Sequence, residues 1–557
     1  MRKSTLFSLF LSFCLTPAVW AVSTIEILVT NADAYNADGT TVLGTFDTFG
    51  FSSANASGDI VFIGKMNLSA PDVTTQNDEG VWVKYDGDPK AYLVVREGDA
   101  EAAGRLFSRA TRSPIINDAG KILIQCTLRG AATVADNYAM YSGTPGAMTL
   151  VVRKGGLAPD QTGAPTTAQF LTFGRAVLGN DATGTVAFQS TLARAILSGV
   201  TTTNNSGIWA KTAGTLKMVG REAAPLEGSI PDVPDAFLST KFGLFYRPMV
   251  NAVGEIAFPG QLRRGSGGGT VRSLNMNFIM TGSAANSTSL TFATRGDDEA
   301  PDTSEPGYFR TFGNTMGFNS LGEVAFTGGM QNSVALEVNS TNNTGIWAGS
   351  PGSLNLVARK GDSAPDTLGA SFAAFASPVL LSNEGGELAF MGRLKYEDLL
   401  VDGSNYIGLW HGDAVGQTLV ARTGGSAPNY DGTPIDAGNV VFLKLYSFHF
   451  ALNSYGQVVF RSMLHRKSQK YTGFQDDAIF ALRKDKTTLI KIVQDGDQNF
   501  EPGKTVLRHS YVPGSGGEDG EPRAFAYGSN GIDDVGKLVY NVIFTDGSHA
   551  LYLTEVD

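Results

Sequence analysis

The chain has 557 residues, of which 42% are hydrophobic and 17% charged, and 43 Lys and Arg against 53 Asp and Glu leave a net charge of −10. That length can bury a large core, and the acidic balance excludes a protein built to neutralise phosphates, so no nucleic-acid partner is expected. With only Cys14 and Cys126, the fold is not one stapled by disulfides.

Residues 1–21 read as a secretory signal peptide: a basic "MRK", an apolar "STLFSLFLSFCL" too short to span a bilayer, and "TPAVWA" with Val19 and Ala21 at the small-residue positions before cleavage. Phe13, just before Cys14, is too large for a lipidation site. From residue 22 onward no apolar run reaches 18 residues, so no transmembrane segment is expected. The protein is expected to be exported, to the periplasm, the medium or the cell surface, and residues 22–557 are read as one domain.

That domain is a tandem repeat. A signature of Asn or Asp, two residues, Gly, one residue and an apolar stretch occurs eight times: "NASGDIVF" (Asn55), "NDAGKILI" (Asn117), "DATGTVAF" (Asp181), "NAVGEIAF" (Asn251), "NSLGEVAF" (Asn319), "NEGGELAF" (Asn383), "NSYGQVVF" (Asn453) and "DDVGKLVY" (Asp533). Its glycines lie 62, 64, 70, 68, 64, 70 and 80 residues apart. Asn or Asp suits the first position of a type I turn, and Gly three residues later supplies the positive φ that feeds a strand. Each unit then parses into four strands. The first often carries Phe-x-x-Phe, and the second is the apolar end of the signature. The third holds Trp82, Trp209, Trp347 or Trp410, with Tyr141, Met280, Phe480 and Tyr552 in the same slot. The fourth ends in Arg96, Arg153, Arg221, Arg295, Arg359 or Arg422.

The eighth unit stops after its third strand, "ALYLTEVD", whereas Ile25–Asp33 superimposes on the fourth-strand phrase "LNLVARKGD". The chain start can therefore complete the last sheet, which closes a ring and leaves no open edge there. The predicted fold is all-β: an eight-bladed β-propeller of four-stranded blades, closed by an N-terminal strand.

In such a ring the signature turns share one face. The long polar loops between second and third strands, "ARAILSGVTTTNNS", "RRGSGGGTVRSLNM" and "HRKSQKYTGFQDD", share the other and are the expected recognition surface. "NSLGEVAF" and "GIWAGSPGSLNLVARKGDSAP" resemble the exported bacterial proteins built from tandem NxxGxxAF repeats, also called choice-of-anchor repeat proteins. The resemblance implies export and surface exposure and carries no catalytic residue. The anchoring tail of many such proteins is not found here.

Several motifs suggest chemistry. Sialidase-like propellers also place Asp-rich turns before an aromatic strand, but the Ser-x-Asp-x-Gly pattern is missing. "TRGDDE" at Thr294–Glu299 spells an adhesion tripeptide, yet its register matches "ARKGD", so a local arginine bond at the blade exit is the reading preferred. "PGKT" at Pro502–Thr505 lacks the leading Gly and the helix of a phosphate loop. The five histidines lack zinc-ligand spacing. "DGDQNFE" from Asp495 leaves a structural calcium open and no other cofactor is expected. Cys126 aligns with glycines and reads as inert core. First-strand segments are poor in acids, so Arg109, Arg175, Arg247, Arg310, Lys444 and Arg523 are the candidate ligand-binding set of a positive bore; strands that merely exclude Asp and Glu explain the same pattern. No catalytic or metal residue is assigned. The expected function is a monomeric, non-enzymatic scaffold whose loop face binds a protein or glycan; the alternative is a carbohydrate-active, sialidase- or lyase-like propeller enzyme.

Overall fold

Each signature builds its turn with its own side chain. The Oδ1 of Asn251 accepts the N–H of Val253 (3.2 Å) and of Glu255 (2.8 Å), and Asn319 and Asn453 cap their turns identically. The glycines that follow sit at positive φ, from +64° at Gly184 to +94° at Gly536, where a side chain would be strained. In the computed structural model, residues 23–557 are described apart from 225–239, 268, 304–305, 377–379, 383–385, 397, 399, 468–476, 499 and 511–535. The expected signal peptide, Asn383 and Asp533 lie outside the described residues.

The Nδ2 of these asparagines does a second job. Asn55 donates to Asn117 O (3.2 Å), Asn117 to Gly179 O (2.9 Å) and Asn251 to Asn319 O (3.0 Å). Turns of successive units are thus bonded tip to tip on one face, and the loops at the far end of each second strand occupy the opposite face.

Among the described residues there is no α-helix, and the strands form a β-propeller arrangement of mainly four-stranded sheets. In the fifth unit, for example, Phe309–Phe318, Val324–Met330, Thr344–Ser350 and Ser353–Arg359 lie side by side in chain order. The third strand explains the Gly-x-Trp phrase. The Trp347 indole lies over its own strand, so that a Cβ on Gly345 would fall 2.8 Å from Cη2; Gly80, Gly207 and Gly408 meet Trp82, Trp209 and Trp410 in the same way. Each of these tryptophans is buried, and Phe309 meets Trp347 edge-on with ring centroids 4.9 Å apart.

Among the described residues eight buried apolar clusters tie the units together, each drawn from two units adjacent in the ring. One of them joins Phe46, Phe62 and Trp82 of the first unit to Val539, Leu551 and Leu553 of the last. Beside it Ser23–Val29 pairs antiparallel with His549–Glu555, with Leu28 opposite Leu551 and Val29 opposite Ala550. Thr30 N donates to His549 O and His549 N to Thr30 Oγ1, both at 2.8 Å.

One expectation needs correction. Eight like four-stranded blades are not found: seven units form open sheets, while the first closes on itself. The cause is a three-residue strand, Asp33–Tyr35, which pairs antiparallel with Val42–Ala54 and parallel with Ala91–Arg96, bridging the two edges of that unit.

Candidate functional site

The loops between second and third strands are pinned from within. Thr201 N donates to Asn204 Oδ1 (2.7 Å) while Asn204 Nδ2 donates to Gly199 O (3.0 Å), and Asn77, Asn275, Asn342 and Asn405 repeat this clamp in their own loops. The clamp then receives the arginine that ends the fourth strand: Arg221 Nε donates to Asn204 O and Arg359 Nε to Asn342 O, both at 2.7 Å. The expected arginine–carbonyl tie is therefore present. The loop asparagine that takes it was missed by sequence reasoning, although the recurring "NN" and "SN" before Gly-x-Trp were its signal. Rigid loops here carry bare aliphatic side chains, with Ile196 and Val334 100% exposed and Leu197 97%.

The described bore cations of the prediction lie at three kinds of position. Arg109 and Lys444 each follow a bulge and face Thr127 and Met463 of their second strands; Arg508, not singled out before, holds the same place opposite Ile543. Arg175 and Arg247 stand two residues before Val177–Leu178 and Met249–Val250, short strands that pair alike in the third and fourth units. Arg310 sits in the bulge itself, between the paired Phe309 and Thr311. Arg523 lies outside the described residues.

Their surroundings differ. Arg109 lies near the Glu79 carboxyl, whose pKa rises through burial and is pulled back by that arginine. Burial first, and the Arg112 guanidinium second, lower Arg247 to about 10, which still leaves it charged at neutral pH. Arg112 belongs to the second unit and Arg247 to the fourth, so their fields meet past the unit between them. Among the described first strands, the short strands after them and the residues that link the two, the only acid is Asp47, against eight Lys or Arg.

Around Lys444 the structure gathers a polar cluster that sequence reasoning did not. Lys444 Nζ stands 4.8 Å from the centre of the Tyr446 ring, and the Arg461 guanidinium 5.2 Å from the same ring. Arg461 is held by Asp477, with Nε 3.1 Å from Oδ1. Asp495 Oδ1 accepts from His509 N (3.0 Å) and lies 2.6 Å from His509 Nδ1, while the buried His509 Nε2 has no hydrogen-bond partner among the described residues. Burial pushes the Tyr446 phenol up, Asp477 and Asp495 push the same way, and Arg461 opposes them. These residues come from five strands or strand ends of two units, and no sequence spacing links them.

Other motifs resolve into local contacts. Arg295 of the adhesion-like tripeptide bonds Asp298 (Nε–Oδ1 3.2 Å). The carboxylates of the calcium-like stretch diverge: Asp495 goes to His509, Asp497 to Lys491 (3.0 Å) and Glu501 to Lys504 (2.8 Å). Cys126 is fully buried, its thiol pKa pushed up by burial.

A family model described as a family of unknown function, DUF7453, matches residues 54–556. The chain belongs to the DUF7453 family. No curated protein matches it. Solved structures similar to this DUF7453 member include the β-propeller domain of the Trilobed protease from Pyrococcus furiosus (8% identity, 78% of this chain and 95% of that one, TM-score 0.34). Others are the polysaccharide lyase Uly1 (9%, 96% and 100%, TM-score 0.36) and the Trypanosoma rangeli sialidase (11%, 96% and 58%, TM-score 0.28). At such identities and scores no residue role passes from these proteins to this chain.

Proposed function

We propose that the protein is an exported, NxxGxxAF-type binding scaffold in which the closed first unit fills the eighth blade position of the ring, and that its bore takes an acidic glycan. The observation that supports this most is the sign of the charge: the first strands and the residues that follow them are nearly free of acids and keep their Arg and Lys, in a chain with net charge −10. Lys444, exposed beside Tyr446, offers a cation next to an aromatic ring, a pairing suited to a uronate carboxylate and the sugar that bears it. The test is calorimetry with oligogalacturonate against a neutral cello-oligosaccharide of equal length. Binding should need the acid, weaken with salt, and fall at least tenfold in Lys444→Ala and in the Arg175, Arg247, Arg310 triple alanine variant. Unchanged binding in the triple variant refutes the reading.

The Asp495–His509 pair favours a second reading, in which the same site moves a proton. His509→Ala would then abolish turnover of the bound acidic glycan while leaving its affinity within a few fold; a lack of turnover by the wild-type protein rejects it.

A further inference from the structure

The second unit departs from its neighbours at one place. In the third, fifth and sixth units four aromatic rings fill the sheet interface, as Phe170, Phe173, Phe188 and Trp209 do in the third. Strand registers put Phe107, Ala110, Ile124 and Tyr141 in those four slots of the second unit. One ring became a methyl, one became an isoleucine and the indole shrank to a phenol. Two small-residue constraints relax with them. Ala139 stands where Gly207 and Gly345 underlie an indole, and Cys126 stands where a Cβ on Gly328 would come within 2.9 Å of Trp347.

The missing rings leave a cavity of about 160 Å³ lined by Val94, Val95, Phe107, Ile124, Leu128 and Met148, with Asp99, Glu101 and Tyr141 as polar members. Glu101 is the second departure. The links into the third, fifth, sixth and seventh units place a buried alanine there (Ala158, Ala300, Ala364 and Ala427), followed by a proline; Trp209, Trp347 and Trp410 donate Nε1 to the proline carbonyl at 3.1 Å. A carboxylate at a position that otherwise buries a methyl is costly unless its oxygens are satisfied. Glu101 Oε1 is satisfied by Arg153 Nη1 at 3.1 Å. Among the described residues the buried Oε2 accepts no hydrogen bond of normal length, lying 4.0 Å from Arg105 Nη1, and the Tyr141 hydroxyl, its pKa pushed up by burial first and then by Cys126 and the adjacent Glu101, makes none of normal length either.

We infer that this cavity between the first and second units is a binding site for a small neutral hydroxyl compound with a compact apolar body, a phenol or a short alcohol. One hydroxyl group serves both orphan atoms, donating to Glu101 Oε2 and accepting from Tyr141. A carboxylate ligand is repelled by Glu101, and an amine competes with the arginine already paired to it. The size agrees, since an apolar cavity of about 150 Å³ holds one benzene ring.

The test is titration of the full chain with phenol, benzene and benzylamine, followed by ligand-observed NMR. Phenol should bind saturably and about tenfold or more tightly than either comparator. Glu101→Ala, which restores the residue of the other links, should make phenol and benzene equivalent. Ile124→Phe, which restores a ring of the other units and is expected to fold, should abolish binding with the melting temperature kept or raised. Failure of phenol to bind the wild type, no preference for phenol over benzene, or undiminished binding in Ile124→Phe would each overturn the assignment.

Discussion

The Gly-x-Trp pair gives the sharpest test of how these sheets pack. In Gly345→Ala the new methyl would lie 2.8 Å from Trp347 Cη2, 3.0 Å from Cζ3 and 2.8 Å from Ala358 O. Both obstacles are held, the indole between Phe309 and Phe326 and the carbonyl within the sheet. Overpacking of this kind costs about 1–3 kcal/mol. Trp347→Tyr removes part of a fully buried ring and the 3.1 Å bond to Pro301 O, a loss of about 2–3 kcal/mol. The second unit already carries the double replacement, Ala139 with Tyr141. The double variant should therefore cost less than the sum of the singles by about 1 kcal/mol. Urea unfolding followed by circular dichroism measures all four corners of the cycle. Additive losses, or a neutral Gly345→Ala, would refute the packing argument.

Three further outcomes are expected. Asn251→Asp keeps the turn-capping oxygen but loses the donor to Asn319 O and sets a second carboxylate against Glu255, so it should cost about 1–3 kcal/mol at neutral pH, visible in the same urea assay. Glu387 lies 3.5 Å from His411 and 2.5 Å from Lys486; the His411 imidazole, with help from Lys486, lowers its carboxyl from 4.5 to about 2. A depressed folded-state pKa stabilises above the unfolded value, so stability on the order of 1 kcal/mol should drain away between about pH 4.5 and 2, and Glu387→Gln should flatten that part of the melting-temperature profile. Asn342→Ala removes the loop clamp and should raise the protease sensitivity of the fifth unit's loop, read by limited proteolysis, with little change in global melting.

What could be read from the sequence was whatever the chain decides locally. The signature turns needed only an oxygen-bearing side chain and a glycine three residues on, and both were visible. The closing strand was visible because Leu28 and Val29 repeat a phrase with known neighbours. The second bond of each asparagine was hidden, because its acceptor belongs to a turn more than 60 residues away. Asp33–Tyr35 was hidden for another reason: three residues have no periodicity, and its parallel partner is chosen by the fold of the whole unit. The site followed the same division. A deficit of first-strand acids was legible as composition, whereas Arg508 is placed only by strand register and Arg112 only by its field on Arg247. Tyr446, Arg461, Asp477, Asp495 and His509 converge through tertiary packing alone. Glu101 and Tyr141 stood in plain view as departures from the repeat, but their meaning required knowing which rings the other units put in their place.

Removal of residues 23–29 probes ring closure most directly, with amide hydrogen exchange of Ala550–Thr554 as the readout. Those amides belong to a strand flanked on both sides, by Ser23–Val29 and by Lys537–Phe544. The closed ring predicts slow exchange in the intact chain and exchange faster by at least a hundredfold at the newly exposed edge after the deletion, with a lower melting temperature. Equal protection in both proteins would contradict it.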